Sequence, residues 1–416
     1  PGASGYGEWG VFDTWRRKKP EFWNTKKAYS PVRVLKTVYD DYEAVSGIIV
    51  PVYNRFDFTN LNEINIKYSY KEVIYDISSP DIPEHSKGVF IIPIKNWQKD
   101  EPVELEFFDS NNQLIDSYNL YRNTQDVNYQ LPVANGSVKI EENDERHLLF
   151  LENDTEISID KKTGLIQAYK KGAEEVLFSG PFINMRTRGK MLVYSFYDII
   201  NHANDWSLNK LFVEAGDSPV TIRVNGSYSD LEDVSFNITI TSNGILQIEY
   251  ALGTMPSQLI HELGIGFITS ARVDSLSWKR KGYWSEYPDD HLSAKEGNTS
   301  LYPESLKKYR TKPIKEWQYD NKRFYYEGTE DEEPDDLMYI ASASKENILD
   351  YELKFEGKGS IRVLGEGSQT CRIQKKDGML WFFVNEVLDY PGIDWGNYYR
   401  GIKRKEFASG VTFIVN

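Results

Sequence analysis

The run Ser-Phe-Asn-Ile-Thr-Ile-Thr at residues 235–241 and the run Ile-Leu-Gln-Ile-Glu-Tyr at residues 245–250 alternate apolar and polar side chains. This alternation is typical of a half-buried β-strand, because successive side chains of a strand point to opposite faces. Similar runs occupy residues 156–160 and 410–415, and long helical periodicity is absent. Residues 132–416 are too many for one immunoglobulin-like unit, so the sequence predicts a large antiparallel double-sheet sandwich there.

A second set of short alternating runs precedes this region. Each run is bounded by turn residues, and the set comprises residues 46–52, 64–70, 89–92 and 103–108. Asp-Ser-Asn-Asn-Gln at residues 109–113 predicts a hairpin turn after the last of them. We therefore expect an immunoglobulin-like β-sandwich over residues 32–131. Residues 130–136 have the composition of a linker between the two sandwiches.

The first 31 residues are unusually aromatic and predict one short helix. Pro-Glu-Phe-Trp-Asn-Thr-Lys-Lys-Ala-Tyr at residues 20–29 has proline at the first helical position and two lysines in the last turn, and Pro31 stops it. Such a helix is too short to be stable alone. Either it packs on a domain that precedes residue 1, or it lies against the next domain of this chain.

Composition limits the classes of function. The 416 residues fit two or three domains, and 40% hydrophobic and 14% aromatic residues indicate a globular chain. A net charge of −14 opposes nucleic-acid binding and binding to an anionic membrane, since phosphates need a concentrated basic surface. Cys371 is the single cysteine, which excludes an intramolecular disulfide and a cysteine-ligated zinc site. No stretch reaches the roughly 20 apolar residues of a membrane span.

Two clusters mix aromatic with polar side chains, as sugar sites do. Aromatic rings cover the apolar face of a pyranose, while carboxylates, amides and guanidinium groups bind its hydroxyls. The first cluster spans residues 278–291. The structural alternative to sugar binding is that Trp278 belongs to the core and the charges form a solvated turn. The second spans residues 390–400 and has loop composition. The candidate carbohydrate-binding residues are Trp284, Glu286, Tyr287, Asp289, His291, Trp395 and Arg400.

Four segments resemble, in order, the C-terminal part of family 2 glycoside hydrolases, the β-galactosidase group. Residues 6–31 are similar to the close of the catalytic (β/α)₈ barrel, and residues 52–61 to the opening of the immunoglobulin-like domain that follows it. Residues 180–186 and 278–291 resemble the large C-terminal sandwich, which is related to the galactose mutarotase fold. The resemblance implies a barrel remnant at residues 1–31 followed by the two sandwiches.

The resemblance also implies that catalysis and carbohydrate binding belong to different parts of the parent enzyme. Family members hydrolyse glycosides with two glutamates on barrel strands upstream of residue 6, so this chain is expected to contain no catalytic residue and to bind carbohydrate beside a missing barrel. Trp395 lies where β-galactosidases place a loop tryptophan that reaches the sugar. Galactoside specificity is not implied, because the 278–291 motif differs from that of lactose-cleaving members at Arg280, Tyr283, Ser285 and Asp290.

Two other functions stay open at this point. One is a stand-alone carbohydrate-binding module. The other is an aldose epimerase, for which His261 with Glu262, and His202 with Asp205, are the attractive acid–base pairs. The acidic run at residues 330–336 lacks calcium-loop spacing, so neither a metal nor a cofactor is expected. A homo-oligomer is compatible with the sequence, and so is a periplasmic or extracellular bacterial parent.

Overall fold

A computed structural model describes residues 10–12, 16, 18, 20–39, 47–99, 101–122, 131–191, 197–214, 218–269, 273–281, 295–300, 344–357, 359–376, 378–388 and 401–415. These residues are almost entirely β-structure, as the alternation predicts. The described residues up to Arg122 belong to one compact unit, and those from Leu131 onward belong to a second.

The first unit is a small sandwich. Its elements are α1 (Pro20–Ala28), β1 (Val32–Val34), β2 (Val38–Tyr39), β3 (Ile48–Asn54), the 3₁₀ turn η1 (Leu61–Glu63), β4 (Asn65–Tyr70), β5 (Val73–Ile77), β6 (Lys87–Ile92), β7 (Val103–Phe108) and β8 (Leu114–Arg122). Within the described residues, β1-β3-β6 form one sheet and β2-β8-β7-β4-β5 the other. The two sheets enclose a core that includes Val50, Leu105 and the fully buried Trp97.

The helix predicted at residues 20–29 is present, and its last turn is bonded to the same small sandwich. The Nζ of Lys27 donates to Asp116 at 2.9 Å and to the Ser117 carbonyl at 2.7 Å, and it lies 3.4 Å from the centre of the Tyr118 ring. Lys27 is therefore buried rather than a solvated helix-end charge. The predicted hairpin turn also forms, with the Asp109 carboxylate accepting from the backbone amides of Asn111 and Gln113.

The second unit is the large sandwich. Its strands are β9 (Lys139–Glu142), β10 (Arg146–Leu151), β11 (Thr155–Asp160), β12 (Ile166–Lys171), β13 (Glu174–Met191), β14 (Tyr197–Asn201), β15 (Ser207–Glu214), β16 (Val220–Tyr228), β17 (Leu231–Ile240), β18 (Ile245–Leu252), β19 (Ile260–Thr269), β20 (Val273–Arg280), β21 (Glu296–Ser300), β22 (Ile348–Phe355), β23 (Ser360–Leu364), β24 (Thr370–Lys376), β25 (Met379–Leu388) and β26 (Phe407–Val415).

These strands form two antiparallel sheets. In the described residues, the first sheet has the order β24-β25-β19-β13-β12-β11-β10-β9, with β14 also paired to β13. The second sheet has the order β15-β16-β17-β18-β26-β23-β22-β20-β21. One continuous apolar core fills the space between the sheets, contributed by alternate residues such as Ile265 and Phe382 from the first and Ile248 and Phe413 from the second. Each sheet therefore also has an outer face, turned away from this core.

No helix among the described residues has the length and apolar character that crossing a bilayer requires.

Candidate functional site

The outer face of the first sheet carries charged side chains that are buried. On β19, Leu263, Ile265 and Phe267 point into the core, so by strand alternation Glu262 and the glycines between them lie on the outer side. The register between β13 and β19 places Arg186 of β13 opposite Glu262 of β19. We call this region the covered face; its polar members are Asn184, Arg186, Glu262, Arg372, Gln374 and Asn385, all less than 9% exposed.

Glu262 is the centre of the covered face. Its Oε1 accepts hydrogen bonds from the Asn184 side-chain amide at 2.7 Å, from the Asn385 amide at 2.8 Å and from the Nε of Arg372 at 2.7 Å. Its Oε2 lies 3.7 Å from the Nε of Arg186, within ion-pair distance. A carboxylate fully removed from water is costly unless it is paired and hydrogen-bonded, and here four side chains from three neighbouring strands meet that requirement.

Two glycines make room for this arrangement. A Cβ at Gly264 would lie 2.1 Å from the Val384 carbonyl oxygen and 2.6 Å from the Asn385 Oδ1. Because β19 has no side chain there, the amide of Asn184 reaches across the strand to the Oδ1 of Asn385 at 2.9 Å. Gly266 acts in the same way one row further along, since a Cβ there would lie 2.5 Å from the Phe182 ring.

An aromatic group continues the covered face beyond Gly266. The Phe182 ring lies 5.1 Å from the Trp381 ring and 6.2 Å from the Phe383 ring, both nearly edge to face. The guanidinium of Arg372 lies 4.1 Å from the centre of the Phe383 ring, so the polar and aromatic groups are in direct contact. Phe182 and Trp381 are partly exposed, whereas Phe383 is buried. The aromatic end is thus the more exposed part of the covered face.

The chemistry of the covered face suits binding better than proton transfer. Three donors converge on Oε1 of Glu262, which stabilises the charged carboxylate in its buried position. The described residues contain no group of three or more histidine, cysteine, aspartate or glutamate side chains placed to hold a metal ion. What the face offers is an arrangement of amides, guanidinium groups and rings held by strands.

The candidate residues Trp284, Glu286, Tyr287, Asp289, His291, Trp395 and Arg400 all lie outside the described residues. Trp278, which begins the first cluster, is described and is 3% exposed in the core of the second unit. Its indole packs beneath Gly297, and the Nζ of Lys345 lies 5.0 Å from the ring centre. Burial, together with the charge of Arg280, lowers the pKa of Lys345 well below its usual range. Trp278 is a core residue, as the structural alternative to sugar binding predicts.

The structure describes both histidine pairs that would suit an epimerase. His261 lies against Gly401, where the register between β13 and β19 shifts. His202 pairs with Asp230 at 2.8 Å through Nδ1 and with the Thr187 hydroxyl at 2.8 Å through Nε2, rather than with Asp205. The Thr187 side chain is fully buried. Through His202, it links β13 to Asp230 in the turn between β16 and β17.

Part of the covered face could be predicted from the sequence. Asn184 and Arg186 belong to the 180–186 segment that carries the family resemblance, and Glu262 is a predicted partner of His261. Arg372 and Asn385 were missed, because they lie 110 and 123 residues along the chain from Glu262. The available local signal was Gly-Ile-Gly at residues 264–266, since glycine within a strand marks close approach of other groups.

Comparison by sequence gives no relatives: no protein-family model matches the chain, and no curated protein matches it.

Comparison by structure gives distant matches. An α-mannosidase from Enterococcus faecalis V583 aligns over 92% of this chain and 42% of its own length, with 9% identity and a TM-score of 0.37. A protein in glycosyl hydrolase family 38 from Enterococcus faecalis aligns over 92% and 44%, with 9% identity and a TM-score of 0.35. A galactose 1-epimerase from Lactobacillus acidophilus NCFM aligns over 68% and 99%, with 10% identity and a TM-score of 0.29. The chain spans less than half the length of the first two proteins.

Proposed function

We propose that this chain is a non-catalytic portion of a glycoside hydrolase that binds carbohydrate and contributes to the architecture around an active site. The observation that carries the proposal is the aromatic end of the covered face, where the partly exposed rings of Phe182 and Trp381 lie beside buried polar groups. Aromatic rings of this kind cover the apolar face of a sugar ring. The order of the four family 2-like segments in the sequence favours the same conclusion.

The parts of the covered face have different roles in this proposal. The partly exposed rings of Trp381 and Phe182 supply the surface on which a sugar ring stacks. Glu262 and Arg372 are too deeply buried to contact a sugar ring. They hold in place the strands and amides behind that surface. Trp395, Trp284 and the neighbouring candidate residues lie outside the described residues, and their part in sugar binding rests on the family resemblance.

Calorimetric titration with gluco-, galacto- and manno-oligosaccharides tests the proposal directly. We expect one class of oligosaccharide to bind the wild-type chain, and Trp381→Ala to weaken that binding at least tenfold by loss of ring stacking. Phe58→Ala is the control, because it removes an exposed aromatic ring from the first unit. Trp395→Ala tests the residue assigned by the resemblance. Absence of binding to every oligosaccharide, or binding indifferent to both tryptophan variants, would contradict the proposal.

The non-catalytic part has its own test. Because retaining hydrolysis needs a nucleophile and an acid/base about 5–5.5 Å apart, and Glu262 is committed to three donors, we expect the purified chain to leave aryl glycosides intact. Sustained turnover by a preparation free of contaminating enzyme would refute this. A freshly dissolved aldose followed by polarimetry tests epimerisation in the same preparation, and an accelerated change of optical rotation would favour the epimerase alternative.

A further inference from the structure

Strand β15 forms an open edge of the second sheet in the part of the chain that the structure describes. It pairs with β16 on one side, and the strand order of the sheet starts with it. Edge strands of this length present a row of backbone donors and acceptors to any strand that can align with them. Lys210 and Phe212 are exposed, the latter by 47%, so the described residues leave this edge accessible.

The outer half of β15 is regular enough to be paired. The register with β16 shifts between Leu208 and Lys210, and the five residues from Lys210 to Glu214 then follow it without interruption. Leu211 and Val213 pack against the core, so Lys210, Phe212 and Glu214 project from the outer face. The edge therefore offers one short stretch with a fixed inner and outer side.

This stretch is complementary to itself. If a second copy aligns antiparallel about a two-fold axis through Phe212, each Lys210 lies opposite the Glu214 of the other copy, and the two Phe212 rings lie opposite each other. Leu211 then lies opposite Val213 on the inner side. Both charge pairs are attractive, and directly opposed side chains on one face of an antiparallel pair interact favourably when their charges are opposite.

A neighbouring strand already holds the outer side chains in place for this pairing. The guanidinium of Arg223 on β16 lies 5.7 Å from the centre of the Phe212 ring and donates to Glu214 at 3.0 Å. The Phe212 ring is thereby held beside the edge, where a second ring can meet it. Strand β5 is an edge in the first unit, but an antiparallel copy centred on Tyr75 would oppose Ile74 with Asp76, which is not complementary.

We propose that β15 is a homodimer interface, in which two copies of this chain join their second sheets by antiparallel pairing of residues Lys210 to Glu214. The occupant of the edge is a second copy because the stretch matches its own sequence in charge and in ring position. This inference does not depend on carbohydrate binding, so either proposal can fail without the other.

Charge exchange tests the interface. We expect sedimentation equilibrium to show a concentration-dependent monomer–dimer equilibrium for the wild-type chain. Lys210→Glu and Glu214→Lys should each raise the dissociation constant by about tenfold or more, because each opposes like charges twice. The double variant Lys210→Glu/Glu214→Lys should restore dimerisation, and an equimolar mixture of the two single variants should form mixed dimers.

Cysteine cross-linking tests the register. Phe212→Cys should give a disulfide-linked dimer on mild oxidation, since the two-fold axis brings the two positions together. The native Cys371 is buried and supplies no competing thiol. Phe58→Cys is the control, because Phe58 is 91% exposed in the first unit. A wild-type chain that stays monomeric at all concentrations, or a dimer that neither the charge exchange nor the Phe212→Cys cross-link affects, would overturn the proposal. Circular dichroism establishes that each variant is folded.

Discussion

The two outer faces of the large sandwich carry the same kind of ion pair in opposite surroundings. On the first sheet, Arg372 and Glu262 are 2.7 Å apart and neither side chain is exposed. On the second sheet, Arg362 binds both carboxylate oxygens of Asp350, and these side chains are 37% and 18% exposed. Arg372 and Glu262 lie on β24 and β19, with β25 between them, whereas Arg362 and Asp350 lie on the neighbouring strands β23 and β22. We therefore expect exposure to solvent to decide how much each charge pair contributes to the stability of the fold.

The largest expected effect comes from breaking the buried pair. Arg372→Ala leaves the Glu262 carboxylate fully buried without one of its charged donors, and we expect the free energy of unfolding to fall by about 3–5 kcal/mol. Arg362→Ala removes the corresponding guanidinium from the second sheet, where water replaces it, and should cost about 0–1 kcal/mol. Urea denaturation of both variants measures the difference, and equal losses would show that the two faces are not distinct.

A smaller effect should follow from filling the space over β19. Gly264→Ala places a Cβ against the Val384 carbonyl, which is backbone and cannot move aside, so we expect a loss of about 1–3 kcal/mol. Gly410→Ala is the matched control on β26 of the second sheet, where the nearest atoms would lie 3.7 Å away. The control should change stability by less than about 0.5 kcal/mol. Thermal unfolding of the two variants compares them, and a Gly264→Ala variant as stable as the control would contradict the close packing described above.

The smallest expected effect concerns His147 on β10, next to the edge strand β9 of the first sheet. Burial first, and then the charge of Lys161, lower the pKa of His147, although Glu142 opposes this shift. The unfolded chain therefore binds more protons than the folded one near the ordinary histidine pKa of about 6.5. His147 should therefore contribute to stability above that pH. This contribution should be lost as the pH falls through the lowered pKa of His147 in the folded chain.

Replacement of this histidine isolates its part of the pH dependence. His147→Gln should flatten the dependence of the unfolding free energy on pH below about 7, by no more than one proton's worth of slope. Urea denaturation at several pH values between 5 and 8 gives that slope. An unchanged slope in the variant would show that His147 has the same pKa in the folded and unfolded chain.

Much of the fold follows from local pattern. The alternating run at residues 103–108 is β7, and the run at residues 245–250 lies within β18, because a two-residue period buries one face whatever the neighbouring strand is. The helix ends where Pro31 and the lysines predict. The partner of Lys27 did not follow from the sequence, since Asp116 is 89 residues away and its choice depends on how the helix packs on β8.

The candidate site was less accessible to sequence reasoning. Clusters that are contiguous in sequence, such as residues 278–291, attract attention because aromatic and polar residues stand side by side. Trp278, however, lies in the core. The covered face is assembled from β13, β19, β24 and β25, and no window of sequence contains its members together.

The amino-acid sequence by itself determined the β class, the positions of many strands and turns, and the short helix, because these depend on alternation, proline and glycine within a few residues. Only the tertiary structure decided that Glu262 meets Arg372, Asn184 and Asn385, that Gly264 leaves room for them, and that β15 ends a sheet. The physical reason is that strand order and register are set by packing of the whole core, so the neighbours of an outer-face side chain come from distant parts of the chain.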